Sequence, residues 1–331
     1  PGGAVNRGLV LLLLLVFLML CIALGLFTGG MHLPPREVVS ALLHPGQGGT
    51  AGTLIWELRL PRIAAAGMVG SALAVCGVVF QAILRNPLAE PYTLGVSGGG
   101  ALGAVIAILL GISGLPMVLI CFTGCCLSIG AVLGAASLKG FSNSMLILAG
   151  IILSFLFSSL VMFIFAVASS REVHASILWL MGSLSSPPPG SLKMLLLMLP
   201  VMLGFPLFAR ELNLLSLGDE TSHHLGLDVK KARAILLVCA SLITGVCVAL
   251  SGIIAFIGLV IPHAMRAAAG ADHHYVIPSS MLAGAGFLIF SDTISQVIIR
   301  PLELPVGVIT GIAGGIFFVV YLLKSRPAEV A

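Results

Sequence analysis

Apolar runs about as long as a membrane is thick recur along the chain, separated by short polar or glycine-rich breaks. A hydrocarbon core about 30 Å thick takes roughly 20 residues of helix to cross. Runs of that size occupy 8–27, 63–84, 93–111, 116–136, 145–168, 192–208, 234–250, 277–299 and 306–323. A tenth, 253–268, is short and bounded by Gly252 and Arg266. It is read as a span, or as a re-entrant piece that protein neighbours must bury. The pattern therefore predicts an all-α integral membrane protein of about ten transmembrane helices, with residues 1–331 forming a single domain. The first run exceeds a secretory apolar core of about 7–15 residues and is read as a retained helix.

Three polar segments interrupt the spans. Residues 28–58 read as a glycine- and proline-rich outer loop. Residues 169–191 form a second outer segment, with a short helix near 174–184 that ends at Pro187-Pro188-Pro189-Gly190. Residues 210–233 form the longest inner segment: Leu212, Leu214, Leu215 and Leu217 precede Gly218, and Asp219 and Glu220 open a second stretch that stops near Gly226. Acids in a first turn suit the helix dipole, and glycine suits each break. Two short amphipathic helices here would offer apolar side chains either to a soluble partner or to their own bundle.

An even number of spans places both termini on one side. With the termini inside, the inner ends hold ten lysines and arginines and the outer ends six, which is the asymmetry of a cytoplasmic inner face. Arg59 and Arg62 lie on the disfavoured side. At an offset of 175 residues Gly70, Gly77, Pro87 and Gly95 meet Gly245, Gly252, Pro262 and Gly270, the mark of an inverted repeat if an odd number of crossings separates the copies.

Composition removes most soluble classes. Only 8% of the 331 residues are charged and 59% are hydrophobic, against roughly 25% charged in a soluble domain. The net charge of +4 is scattered, so no nucleic-acid partner is expected. Seven cysteines sit in apolar stretches without ligand spacing and read as packing residues, so no metal is expected. Gly98 to Gly103 matches a dinucleotide pattern, but no strand precedes it. Gly95, Gly99 and Gly103, like Gly307, Gly311 and Gly315, instead form four-residue stripes that let helices approach closely. No phosphate-binding G-x-x-x-x-G-K-[ST] occurs, so an ATP-driven process would need its nucleotide site on another chain. Asp292 is the one acid deep within a span and reads as hydrogen-bonded near serine and threonine hydroxyls. A lone acid argues against an ion-coupled carrier working alone, and no nucleophile–base set supports an intramembrane enzyme.

Several motifs, in order, resemble one family. Arg59-Leu60-Pro61-Arg62, Gly67 to Gln81, Arg85-Asn86-Pro87-Leu88-Ala89-Glu90-Pro91, Leu94 to Ser97, Ser251 to His263 with Arg266, and Glu303 to Gly307 are similar to the permeases of iron-chelate, haem and vitamin B12 ABC importers, the FecCD family. The resemblance covers about residues 55–324. It implies ten helices per subunit, a homodimer with the pathway along its axis, and a bacterial inner-membrane location with cytoplasmic termini. It also implies two ATPase subunits inside, which would carry ATP and Mg, and a substrate-binding protein outside. This chain would hold no cofactor and catalyse nothing. The expected cargo is an iron–siderophore, with haem or cobalamin next. Gly218, Asp219, Glu220, Leu225 and Gly226 match the family's coupling motif, with Asp219 in place of glutamate. Arg59 and Arg62 are implied in docking the binding protein. Gln296 stands where a further arginine is usual, which leaves Arg300 to substitute. Trp179 and the stretch Val306–Phe318, with Gly307, Gly311 and Gly315, are implied as outer gate and axis lining.

Overall fold

The computed structural model describes residues 7–44, 49–92, 94–138, 142–185 and 191–324. Within them the α-helices are α1 (Arg7–Phe27), α2 (Pro35–Leu43), α3 (Thr50–Thr53), α4 (Leu60–Leu84), α5 (Val96–Leu109), α6 (Leu115–Ser137), α7 (Asn143–Val167) and α8 (Ser170–Leu180). They continue as α9 (Ser191–Gly204), α10 (Ala209–Ser216), α11 (Asp219–His224), α12 (Val229–Ser251), α13 (Ile257–Ala269), α14 (His273–Val297) and α15 (Val306–Lys324). Side chains open several of them. Ser142 accepts from Met145 N ahead of α7, Asp228 from Lys231 N ahead of α12, and Ser169 and Glu172 close a reciprocal capping box on α8. Each satisfies backbone N–H groups that a helix start leaves unpaired.

Seven helical stretches are long and apolar enough to cross a bilayer, and three shorter apolar helices (Val96–Leu109, Ile257–Ala269 and Val306–Tyr321) complete the bundle. Two boundaries differ from the sequence pattern. The expected loop 28–58 contains α2, and Thr50–Leu84 is one continuous helical stretch in which a π-helical turn at Leu54–Arg59 joins α3 to α4. The Arg59–Arg62 motif is thus inside a helix. Pro61, which has no N–H to give, follows directly on the π-helical turn, where Leu60 N–H bonds back to Ile55 O and the i→i−4 ladder is already interrupted. The expected span 192–208 likewise does not stop there: a 3₁₀ turn, Phe205–Phe208, carries α9 directly into α10. The Pro187–Gly190 end of the outer segment falls outside the described residues.

Helix α4 is the centre. Every residue from Val69 to Leu84 is buried, which is why the helix is apolar all round. α1 has only Cys21 and Gly25 buried; it leans on α14 and turns its leucines outward. Glycines set the closest contacts. A Cβ on Gly77 would fall 1.9 Å from the carbonyl oxygen of Gly258, and one on Gly70 2.3 Å from that of Gly284. Gly99 and Gly124 meet in the same way between α5 and α6. The Gly98–Gly103 motif is therefore a helix seam.

Gly70 on α4 packs on α14 and Gly245 on α12 packs on α6, equivalent places in the two sets, but the 175 offset fails further on, because Pro87 lies in the connection after α4 whereas Pro262 lies inside α13. A repeated order is visible nonetheless. α4 to α7 are 25, 14, 23 and 25 residues long and α12 to α15 are 23, 13, 25 and 19. α4 packs on α12, α13 and α14, while α12 packs on α4, α5 and α6. A longer connection after α4 (residues 85–95) than after α12 (residues 252–256) removes any constant offset.

Candidate functional site

Polar chemistry gathers at the two ends of the bundle. At one end α10 and α11 form a corner on a rigid mount. Gly218 has φ 108°, a value that disfavours any side chain, and this turns α10 sharply into α11. The buried Ser222 hydroxyl lies 2.6 Å from both the Leu214 and Gly218 carbonyls and so locks the turn. Asp219, the first residue of α11, takes a hydrogen bond from Arg233 Nη2 at 2.6 Å and lies 3.6 Å from Arg85 Nη2. One carboxylate thus ties α11 to α12 and to the end of α4. Asn213 ties α10 to α14: its Oδ1 accepts from His273 N–H at 3.0 Å and its Nδ2 donates to Asp272 at 2.9 Å. Those hydrogen bonds, from Asn213 first and His274 second, draw the Asp272 carboxyl down to about 2. Outward from this mount face Leu217, Glu220, His223, His224 and Leu225, with Leu225 52% exposed and Leu217 61%. Gly226 (φ 84°) ends the corner. All five residues of the expected coupling motif are therefore brought together: Asp219 and Gly218 face the mount, and Glu220, Leu225 and Gly226 face solvent.

At the other end three arginines cluster, each occupied. Arg59 is only 8% exposed and its guanidinium donates to the carbonyls of Leu26 and Met31. Arg62 donates through Nε and Nη2 to both oxygens of Asp292 at 2.8 and 3.0 Å, and through Nη1 to Glu303 at 2.8 Å. Arg300 is exposed and donates to Gly29 O at 2.8 Å. Gln296, in place of an arginine, donates to Asp292 at 2.9 Å. Asp292 is thus held by Arg62 from α4, not by the neighbouring hydroxyls that the sequence suggested. Arg59, Arg62, Glu57, Gln296 and Glu303 line an open cavity of about 430 Å³.

Beside it, three glycines interlock backbone with backbone. A Cβ on Gly182 would meet Ile253 O at 2.5 Å, one on Gly252 the carbonyl of Trp179 at 2.3 Å, and one on Gly307 that of Met181 at 2.1 Å. Ser183 N–H donates to Ser251 O at 2.8 Å. Trp179 and Gly307 thus belong to one junction of α8, α12 and α15. Gly311 and Gly315 do not join it: no atom among the described residues would lie within 4 Å of a Cβ on either. The second packed glycine of α15 is Gly314, against which the ring of Phe256 lies. Phe256 holds a left-handed backbone, φ 70°, at the start of α13. Tyr92, in the α4–α5 connection, clamps the same stretch of chain by donating to Ile254 O at 2.8 Å and accepting from its N–H at 3.2 Å. Sequence reasoning held Glu303 and Phe256 only as members of family motifs and passed over Tyr92, because the partners of all three lie far along the chain.

The arrangement agrees with what the chain resembles. A Klebsiella pneumoniae vitamin B12 import system permease protein, BtuC, is 38% identical, with 96% of this chain and 93% of that protein aligned. A Yersinia pestis hemin transport system permease protein, HmuU, is 38% identical over 82% of this chain and 84% of that protein. A solved inward-facing ABC transporter of metal-chelate type superposes with a TM-score of 0.84 at 30% identity, covering 97% of this chain and 100% of that one. The model of the FecCD transport family matches residues 14–324. With that match spanning nearly every helix, the chain belongs to the FecCD transport family.

Proposed function

We propose that this chain is the permease subunit of an ATP-binding-cassette importer that passes a bulky metal chelate across a bacterial plasma membrane. It works as one of two copies, by alternating access, with ATP and Mg on two separate ATPase subunits and with cargo delivered by a substrate-binding protein outside. The carrying observation is the α10–α11 corner: exposed Leu217, Glu220 and Leu225 on a base pinned to α4, α12 and α14. A push on that surface is transmitted to the central helices. Ten crossings, with both termini on the cytoplasmic side, fit the contacts that place Arg7 beside Asp272 at the coupling end. The repeated helix order fits an inverted repeat. Cargo is proposed as a cobalt or iron chelate. An iron–siderophore follows from the family resemblance, and cobalamin and hemin from the named relatives.

Leu225→Ala or Glu220→Gln, in the assembled transporter, is expected to cut cargo uptake about tenfold, the equivalent of roughly 1.4 kcal/mol of lost contact. The thermal midpoint should stay near that of the parent, because neither side chain is buried. Full uptake by both variants would remove the coupling role. ATPase stimulation by cobalamin, hemin and a ferric siderophore, each with its binding protein, identifies the cargo. Uptake by the reconstituted chain alone, on an ion gradient, would instead establish a lone carrier; Asp292, the acid such a carrier would need, is already paired with Arg62.

For docking, the accessible cation among the three arginines is Arg300. Arg300→Glu is expected to weaken binding-protein affinity more at low salt than at high, since exposed charges are screened beyond about 10 Å at 0.1 M. A loss that does not change with salt would mean that the loop, not the charge, makes the contact. Arg59 and Arg62 are proposed to shape that face from beneath, through the carbonyls and carboxylates they hold.

A further inference from the structure

At the end of the bundle that carries the α10–α11 corner, one largely buried cation has no carboxylate beside it among the described residues. Three arginines converge there, Arg85, Arg233 and Arg266, and the carboxylate that serves the first two is Asp219, which sits closest to Arg233. Arg266, near the end of α13, donates to the amide oxygen of Gln81, and among the described residues no carboxylate pairs with it. Gln81 is itself fully committed, because its Nε2 donates to Gly258 O at 3.1 Å. His263 and His273 lie within electrostatic reach of Arg266, and neither can supply negative charge. A guanidinium withdrawn from water without a counter-charge is costly, and it cannot shed its proton to escape.

Arg266 and Arg85 line one cleft of about 250 Å³, together with Gln81, Asn86, Pro87 and Ser216. Its walls are the end of α4, the connection that follows it, α10 and α13. Arg85 holds a left-handed backbone, φ 50°, at the end of α4. That conformation is uncommon for a residue with a side chain. Two guanidinium forks around one opening match the oxygens of a phosphate better than a single carboxylate, because each fork can present two parallel donors.

We propose that this cleft is a binding site for a phosphate group, held by Arg266 and Arg85, that braces α4 and α13 against the α10–α11 corner. The phosphate belongs either to the headgroup of an anionic inner-leaflet lipid or to a free phosphate of the aqueous phase. Placing it on the cytoplasmic face rests on the proposed orientation, whereas the binding itself does not. An anionic lipid surface would concentrate the first ligand at this depth.

The test uses the full chain purified in detergent. Dioleoyl phosphatidylglycerol, with dioleoyl phosphatidylcholine as the neutral control, is titrated by native mass spectrometry, and inorganic phosphate by calorimetry. The proteins compared are the parent, Arg266→Gln, Arg85→Gln and, as a surface-charge control, Lys230→Gln. The proposal expects saturable binding of one anionic ligand per chain. Loss of one guanidinium should weaken it about tenfold in either arginine variant, with Lys230→Gln unchanged. Binding of phosphatidylglycerol alone identifies the headgroup, and binding of inorganic phosphate a free ligand. Absence of both, or equal loss in Lys230→Gln, overturns the site. So does anion binding that is unaltered in both Arg266→Gln and Arg85→Gln, since the ligand would then lie elsewhere on the chain. If Arg266→Gln fails to fold, Arg85→Gln, at the exposed edge of the cleft, decides alone. None of these readouts needs ATPase or cargo, so failure here leaves the transporter assignment standing.

Discussion

Gly77→Ala is expected to cost more stability than any other single-methyl change in the bundle. The added Cβ would fall 1.9 Å from the Gly258 carbonyl oxygen and 2.6 Å from its carbon and Cα, all backbone atoms that no rotamer change can move aside. Helices α4 and α13 would have to separate, and the Gln81–Gly258 hydrogen bond, 3.1 Å at present, would stretch with them. Overpacking of a close-packed site costs about 1–3 kcal/mol, and a backbone-to-backbone clash lies at the upper end. An internal comparison separates sterics from helix propensity. At Gly130 and Gly134, on α6, no atom among the described residues would lie within 4 Å of an added methyl group. Alanine there should be neutral or gain up to about 1 kcal/mol, the usual difference from glycine in a helix. Thermal midpoints of the three variants by fluorescence-detected size exclusion give the answer. Gly77→Ala as stable as Gly130→Ala would mean that α4 and α13 are not in backbone contact.

That contrast also marks what could be read from the chain. A stripe of small residues in an apolar run announces close packing but not which glycine does it. Gly99 and Gly103 proved to be seam residues against α6, whereas on α15 the four-residue rhythm Gly307, Gly311, Gly315 selects one packed glycine and misses Gly314. The reason is Phe256: a left-handed residue that projects its ring onto α15 from the α12–α13 connection leaves no periodic trace. The corner at Gly218–Gly226 was legible because its signals are local, a glycine at each break and acids in the first turn. Its mount was not, since Asn213 reaches Asp272 and Asp219 reaches Arg85 across the fold. Glycine and proline between residues 28 and 58 suggested a loop. The π-helical turn accommodates Trp56 and Glu57 within a continuous helix, an irregularity that hydropathy cannot register.

The second large effect concerns Arg62 and Asp292, which are 230 residues apart and joined by two hydrogen bonds with side chains 12% and 4% exposed. Asp292→Leu leaves the guanidinium buried with Glu303 as its one carboxylate, and Glu303 is 37% exposed and screened by water. Removing one partner of a buried pair costs about 3–5 kcal/mol, because the survivor keeps its desolvation penalty without its compensation. Arg62→Met is expected to be milder. The orphaned Asp292 can take up a proton and still accept from Gln296, whereas a guanidinium has no neutral form to adopt. The double variant Arg62→Met/Asp292→Leu removes both charges from a site already walled by helices, and should recover most of the loss, as apolar replacement of buried pairs often does. The order expected for the thermal midpoints is parent and double variant close together, Arg62→Met below them, and Asp292→Leu lowest. The double variant should nevertheless lose cargo uptake if this network sets the angle between α4 and the start of α15, because Glu303 would then have no anchor on α4. Additive losses, with the double variant the least stable of the set, would show that the two side chains act separately and that the pair does not hold α4 to α14.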